Sequence, residues 1–332
     1  MRLPLFQYLE PTGVEEAVSI LDIYRGQVKI CAGGTEVLNH LKRRLIKPAA
    51  VMNIRKLPDL AGITETEQEI VIGANTTILE IGRSPRIREA AAAVAEAAFQ
   101  TASPTITGMA TLGGNLLQNT RCLNYNQSGI VLKGLAACHK RGGEVCLVVP
   151  GSRRCFSVYQ GDLAPALMAL QARCALVKKG AARTIPIQEL FTGNGISPLA
   201  LETDELLTQV VIPKPPGRSA SAYKKFRIRG SVDFPLASAS AWMSATDDFR
   251  LQDCCLVIGA AGPAPRVVQM ASTALKGKTP GEVDAAALAD MAFELAEGVD
   301  NLTLPGSYRR KMVRVLAKRA IQAALEGLRG SR

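Results

Sequence analysis

Val28-Lys29-Ile30-Cys31-Ala32-Gly33-Gly34-Thr35-Glu36-Val37-Leu38 is a short apolar strand that breaks on two glycines and passes directly into a helix. That helix is expected from Thr35 to about Arg44, with Val37, Leu38 and Leu41 on one face. Ala50-Val51-Met52-Asn53-Ile54, after Lys47-Pro48, reads as the next strand. Strand, glycine turn, helix and strand make a βαβ unit of about 30 residues. Upstream, Thr12 with Glu15 forms a candidate capping box for a helix carrying Val14, Ala17, Val18 and Leu21.

Working outward, residues 69–74 read as a strand and residues 87–99 as one alanine-rich helix. Residues 101–119 read as a loop rich in Thr, Gly and Asn, and a further helix begins at Asp162. Strands are expected at 174–177 and 207–212, followed by a linker, Pro213-Lys214-Pro215-Pro216-Gly217. Beyond it, 221–229, 237–245 and 251–259 alternate as sheet strands, and helices at 284–297 and 307–328 close the chain. The fold class is α+β. A small βαβ subdomain (1–57) and a mixed α/β subdomain (58–216) precede a C-terminal domain of antiparallel sheet plus helices (217–332).

The length of 332 residues matches that division. A composition of 47 % hydrophobic and 21 % charged residues excludes disorder, collagen and coiled coil. No apolar run reaches the roughly 18 residues of a membrane span, and the start lacks a signal-peptide apolar region, so a cytoplasmic chain is expected. The net charge of +11 concentrates in residues 121–155 and 307–332. Aromatic residues do not interleave with those charges as a stacking platform for nucleic acid requires, so no nucleic-acid partner is expected.

Two glycine pairs and one cysteine cluster stand out. Gly33-Gly34 lies between strand and helix, where open amides and absent side chains suit a phosphate. A tight structural turn explains the same letters. The second pair lies in Met109-Ala110-Thr111-Leu112-Gly113-Gly114-Asn115-Leu116, where Thr111 and Asn115 add polar side chains. Neither pair is a dinucleotide or nucleoside-triphosphate fingerprint. Cys122, Cys138, Cys146 and Cys155, with fifteen, seven and eight residues between them, fall on a glycine-containing stretch. Four thiolates there suit one zinc ion or one iron–sulfur cubane, and spacing alone does not choose.

The ordered set Ala32-Gly33-Gly34-Thr35, Ala102-Ser103-Pro104, Met109 to Leu116, Asp162-Leu163-Ala164-Pro165, Glu205-Leu206-Leu207 and Lys225-Phe226 resembles the FAD-binding medium subunits of the molybdenum hydroxylase family, which includes xanthine and CO dehydrogenases. The resemblance implies FAD in a cleft shared by the two N-terminal subdomains. Cys31, Ala32, Gly33, Gly34, Thr35, Glu36 and Val37 would wrap its diphosphate. Thr111, Gly113, Gly114 and Asn115 would hold the other side, with Ser103 nearby. Asp162 would accept from cofactor hydroxyls, Leu206 and Leu207 would pack near the ring systems, and Lys225 would lie near the flavin. Helix cap, core and solvated strand residue are the plain structural readings of Asp162, the leucines and Lys225.

Between Asn115 and Asp162 stand 46 residues, far more than in most of that family. This insert, about 120–157, resembles the one in 4-hydroxybenzoyl-CoA reductase β subunits, which implies a [4Fe–4S] cluster on Cys122, Cys138, Cys146 and Cys155. The implied function is a flavin and iron–sulfur electron relay, with no catalytic residue in this chain. A molybdenum-cofactor subunit and a [2Fe–2S] subunit would complete a dimer of heterotrimers, and reduced ferredoxin would feed it. The alternatives are an aldehyde-, purine- or CO-type dehydrogenase passing electrons outward, and a scaffold with a zinc-stapled insert. Arg153 and Arg154 are expected to attract an acidic carrier. Because the insert lies outside the glycine loops, loss of a cysteine is expected to leave the flavin in place.

Overall fold

A computed structural model describes residues 3–214, 217–230 and 232–330. The first three strands form a parallel sheet in the order β1 (Gln7–Leu9), β3 (Ala50–Asn53), β2 (Val28–Cys31), crossed by α1 (Val14–Tyr24) and α2 (Val37–Lys42). Ala17, Val18 and Leu21 of α1 pack on Val28, Ala50 and Met52, as the helical spacing predicts. The expected capping box is displaced by one residue. Gly13 holds the cap position, and the Thr12 amide and hydroxyl both donate to Glu16, each at 2.7 Å. α2 is shorter than expected because residues 32–36 stay outside the helix.

The middle of the chain adds a five-stranded sheet with two hairpin strands the sequence did not signal. It begins with β4 (Ile63–Glu65) and β5 (Glu69–Gly73), then leaves the sheet for α3 (Ile78–Arg83), α4 (Pro85–Ala90) and α5 (Ala92–Gln100). The single alanine-rich helix expected at 87–99 is two helices, broken at Ala91 (φ −142°, ψ 53°). The expected loop at 101–119 contains two short helices, α6 (Pro104–Thr107) and α7 (Leu112–Leu116). After α8 (Gly129–Lys133) in the insert and α9 (Leu163–Ala169), the chain returns as β6 (Arg173–Lys178), β7 (Ala181–Pro186) and β8 (Leu206–Pro213). Sheet order is β4-β5-β8-β6-β7, antiparallel throughout.

Pro215 and Pro216 of the expected linker lie outside the described residues. Beyond them β9 (Arg218–Phe226), β10 (Ala237–Ala245), β11 (Leu251–Gly259) and β12 (Arg266–Val267) form an antiparallel sheet. α10 (Met270–Leu275), α11 (Ala285–Leu295) and α12 (Gly306–Gly330) follow. Val313, Leu316, Ala317, Ala320 and Ala324 of α12 join the alanines of β10 in one core. Small residues on both sides let helix and strand approach closely. The other face of the sheet packs on the middle region through Tyr223, Trp242 and Val257. No helix among the described residues is long and apolar enough to cross a membrane.

Candidate functional site

The two glycine loops touch. A Cβ on Gly33 would stand 1.9 Å from the Met109 carbonyl oxygen, so only glycine lets the first loop lie against the second. Gly34 has φ +72°, the left-handed region. The chain therefore leaves the strand direction before α2 begins, and the amides of Gly33, Gly34, Thr35 and Glu36 donate to no acceptor among the described residues. These residues are half-exposed or exposed, so a ligand can reach four consecutive donors. Cys31 precedes them, half-buried, its thiol pushed up by burial.

The second loop is already satisfied. The amides of Leu112 and Gly113 donate to Thr76 and Ala74 at 2.9 and 2.8 Å, and Gly114 and Asn115 donate to the Thr111 hydroxyl and carbonyl. Thr111 caps α7. A Cβ on Gly113 would meet Ala74 at 3.2 Å, whereas one on Gly114 meets only the Thr111 hydroxyl. Gly114 is exposed, and that hydroxyl stands 3.2 Å from the Cβ position. Asn115 Oδ1 accepts from the Leu163 amide at 3.1 Å and so caps α9.

That contact releases Asp162, which occupies the cap position of α9 without capping it. Its buried carboxylate accepts instead from Tyr223 at 2.7 Å and from Lys225 at 3.0 Å. The Lys225 side chain is 0 % exposed, so it is not a solvated strand residue. It also donates to the Gln100 carbonyl at 2.9 Å, as does Arg227. Burial pushes the Asp162 carboxyl above its ordinary value and the Lys225 ammonium below its own, each opposed by the other's charge. Tyr223 was not anticipated from the sequence. The signal was available, since Tyr223 and Lys225 are two apart on one strand and share a face.

Ser103 precedes α6, and its hydroxyl makes no hydrogen bond among the described residues. Leu206 and Leu207 are buried in two different cores, because neighbours on a strand point to opposite faces.

The insert gathers Cys122, Cys138, Cys146 and Cys155 around a single cavity of about 20 Å³. The Tyr125 amide donates to Cys122 Sγ at 3.3 Å and the Val149 amide to Cys146 Sγ at 3.5 Å. Gly143 closes the turn between Cys138 and Val145, where a Cβ would strike the Ala137 carbonyl at 1.7 Å. Burial and the neighbouring Cys155 and Cys138 push the Cys122 thiol up. All eight cysteines are free, and no group of three or more His, Cys, Asp or Glu among the described residues is drawn close enough to hold a single metal ion.

Most of the insert's positive charge is used internally. Lys140 donates to Asn119, Thr120 and the Gly195 carbonyl, and burial lowers its pKa to about 8. Arg141 donates to the Leu132 carbonyl at 2.6 Å. Arg154, expected to face a carrier, pairs with Glu297 at 3.1 Å and lies over the Phe156 ring. Arg154 stays exposed despite that pairing, and Arg153 and Lys133 are exposed too. Beside the insert opens a cleft of about 190 Å³, lined by Arg121, Cys122, Gln160, Ile228, Asp233 and Leu236 among others.

Residues 4–215 match the family described as the FAD binding domain in molybdopterin dehydrogenase, and residues 221–324 the CO dehydrogenase flavoprotein C-terminal domain. The nicotinate dehydrogenase FAD-subunit of Eubacterium barkeri is 30 % identical over 68 % of this chain and 64 % of its own length. The carbon monoxide dehydrogenase medium chain of Hydrogenophaga pseudoflava is 24 % identical over 97 % of both chains. Among solved structures, the reconstituted CO dehydrogenase of Oligotropha carboxidovorans superposes with a TM-score of 0.79 at 22 % identity, covering 98 % of this chain and 100 % of that one.

Proposed function

The chain belongs to the family of FAD-binding medium subunits of the molybdenum hydroxylases, and on that premise we propose that it is the flavin electron-transfer subunit of a dehydrogenase, with FAD held across the two glycine loops. The run of open amides from Gly33 to Glu36 carries the placement. Four donors in sequence suit a diphosphate, and Gly114 leaves room for a cofactor to lie against the second loop. Bound FAD supplies the capacity to take up and release electrons. Cys31, Ala32 and Val37 complete the first turn, while Thr111, Gly113 and Asn115 keep the second in shape. Asp162 and Lys225 form a buried ion pair whose charges offset one another and which joins β9 to the start of α9.

Cys122, Cys138, Cys146 and Cys155 would hold a [4Fe–4S] cluster, which supplies one-electron transfer. The four line one small cavity, and the choice of a cluster over zinc rests on the resemblance of the insert. Amide donors to two of the sulfurs suit a cluster as well. The relatives are named as dehydrogenases, and dehydrogenation takes electrons from a substrate. We therefore favour outward flow, from a molybdenum-bearing subunit and a [2Fe–2S] subunit in a dimer of heterotrimers, through this chain to an external acceptor. The ferredoxin-fed reductive direction of a 4-hydroxybenzoyl-CoA reductase is the second reading, favoured by the four-cysteine insert alone.

Anaerobic purification with flavin and metal analysis tests the cofactors. One FAD and about four irons per chain are expected, and Cys138→Ser removes most of the iron because an alkoxide replaces a soft thiolate poorly. Stoichiometric zinc without iron overturns the cluster; a chain that takes up no flavin overturns the placement of FAD.

A further inference from the structure

The insert grips α2, the helix behind the open amides, at both ends. At its start, Arg121 Nη2 donates to Glu36 Oε1 at 2.6 Å and also to His40 Nε2. At its end, Arg43 donates through Nη1 to Asn126 Oδ1 at 3.0 Å and through Nη2 to the Asn126 carbonyl at 3.2 Å. Arg121 Nη1 reaches the same Asn126 Oδ1 at 3.3 Å, which joins the two ends into one network. The Arg121 side chain is only 15 % exposed. A guanidinium has no acceptor, so His40 accepts through a neutral ring protonated on Nδ1. Burial and the charge of Arg121 hold that imidazole below its ordinary value, which keeps it neutral.

Glu36 contributes the last of the four open amides, and Arg121 immediately precedes Cys122. The cofactor cradle and the cysteine insert are therefore joined through two side chains. We propose that Arg121 is a positioning residue and the insert a clasp: Arg121 and Asn126 fix α2 and the turn before it, so that order in the insert and hold on FAD rise and fall together. Linkage makes the effect mutual, since an ordered insert tightens the cofactor and a bound cofactor orders the insert to the same degree. The insert is thus not independent of the flavin. The inference rests on the placement of FAD at the first glycine loop.

The test compares the wild-type chain with Arg121→Met, Arg121→Lys and Asn126→Ala, using FAD itself. Asn126 is exposed, so its truncation leaves the fold intact even if Arg121→Met weakens it. The first readout is the FAD dissociation constant, expected to rise about tenfold in Arg121→Met and less in Asn126→Ala. The second is tryptic cleavage at the exposed Lys133 and Arg153, neither of which is a substituted position. FAD should slow that cleavage in the wild type, fail to slow it in Arg121→Met, and slow it partly in Arg121→Lys. A merely structural Arg121 speeds cleavage equally with and without FAD, and that result overturns the clasp. Unchanged affinity in all three variants, or wild-type cleavage indifferent to bound FAD, overturns it too. A wild-type chain that binds no FAD overturns both the clasp and the placement beneath it.

Discussion

At Gly33 a carbonyl stands where a side chain would go and the neighbouring amides are open; at Gly114 a Cβ would meet only the Thr111 hydroxyl, at 3.2 Å, and the neighbouring amides are already bonded. The letters of the two pairs match, yet their physics is opposite. Gly33 holds one loop against the other, and that contact with Gly34's positive φ turns the donors of the first loop outward. Gly113 presses against Ala74, while Gly114 is exposed and has only the Thr111 hydroxyl beside it. A glycine pair in sequence thus marks close approach, while the partner of that approach, backbone or ligand, is read only from the fold.

Gly33→Ala should break the contrast most severely. Its methyl meets backbone rather than a flexible side chain, so both loops must move, with an expected loss of about 3 kcal/mol of stability and of the flavin with it. Denaturant midpoints and flavin content measure both, and wild-type stability would mean that the loops do not touch. Gly113→Ala, with its Cβ at 3.2 Å from Ala74, should cost less, about 1 kcal/mol. Gly114→Val, whose Cβ would meet the Thr111 hydroxyl at 3.2 Å, should also cost about 1 kcal/mol, while weakening FAD by about tenfold or more. Full FAD affinity in that variant would remove the second loop from the cofactor's surroundings.

The smallest effect concerns pH. The folded His40 is held below its ordinary value by burial and by Arg121, with Arg43 and Lys29 acting the same way and Glu36 against them. A group depressed in the folded state contributes stability above its unfolded value, near pH 6.5, and loses it as pH falls toward the folded value. Melting temperature should therefore decline below about pH 6.5, and His40→Gln should flatten part of that decline. An unchanged profile in His40→Gln would show that the imidazole does not titrate against Arg121.

What was legible in the sequence follows from the range of each interaction. β10 and β11 have the bounds expected from their patterns, because alternation and burial act within a strand. The break at Ala91 was hidden, since alanine serves a helix and its interruption equally well. The four cysteines pointed by number to one metal or cluster; they line one cavity, and no group of three or more among the described residues is close enough to hold a metal ion. Lys225, placed near the flavin by resemblance with a solvated strand residue as the plain alternative, is instead paired with Asp162 across 63 positions. Arg121 and Glu36 are separated by 85, which local patterning cannot span. Arg154 read as a free surface charge for the same reason, its partner Glu297 being on another element.

The placement of FAD at the first glycine loop is tested most directly by residue-resolved hydrogen exchange with and without FAD. The amides of Gly33, Gly34, Thr35 and Glu36, unbonded without ligand, should exchange fast and be slowed when FAD binds. Those of Leu112, Gly113, Gly114 and Asn115, already bonded, should be slow in both conditions. Fast exchange at residues 33–36 that FAD leaves unchanged, with the change appearing at residues 112–115 instead, would contradict it.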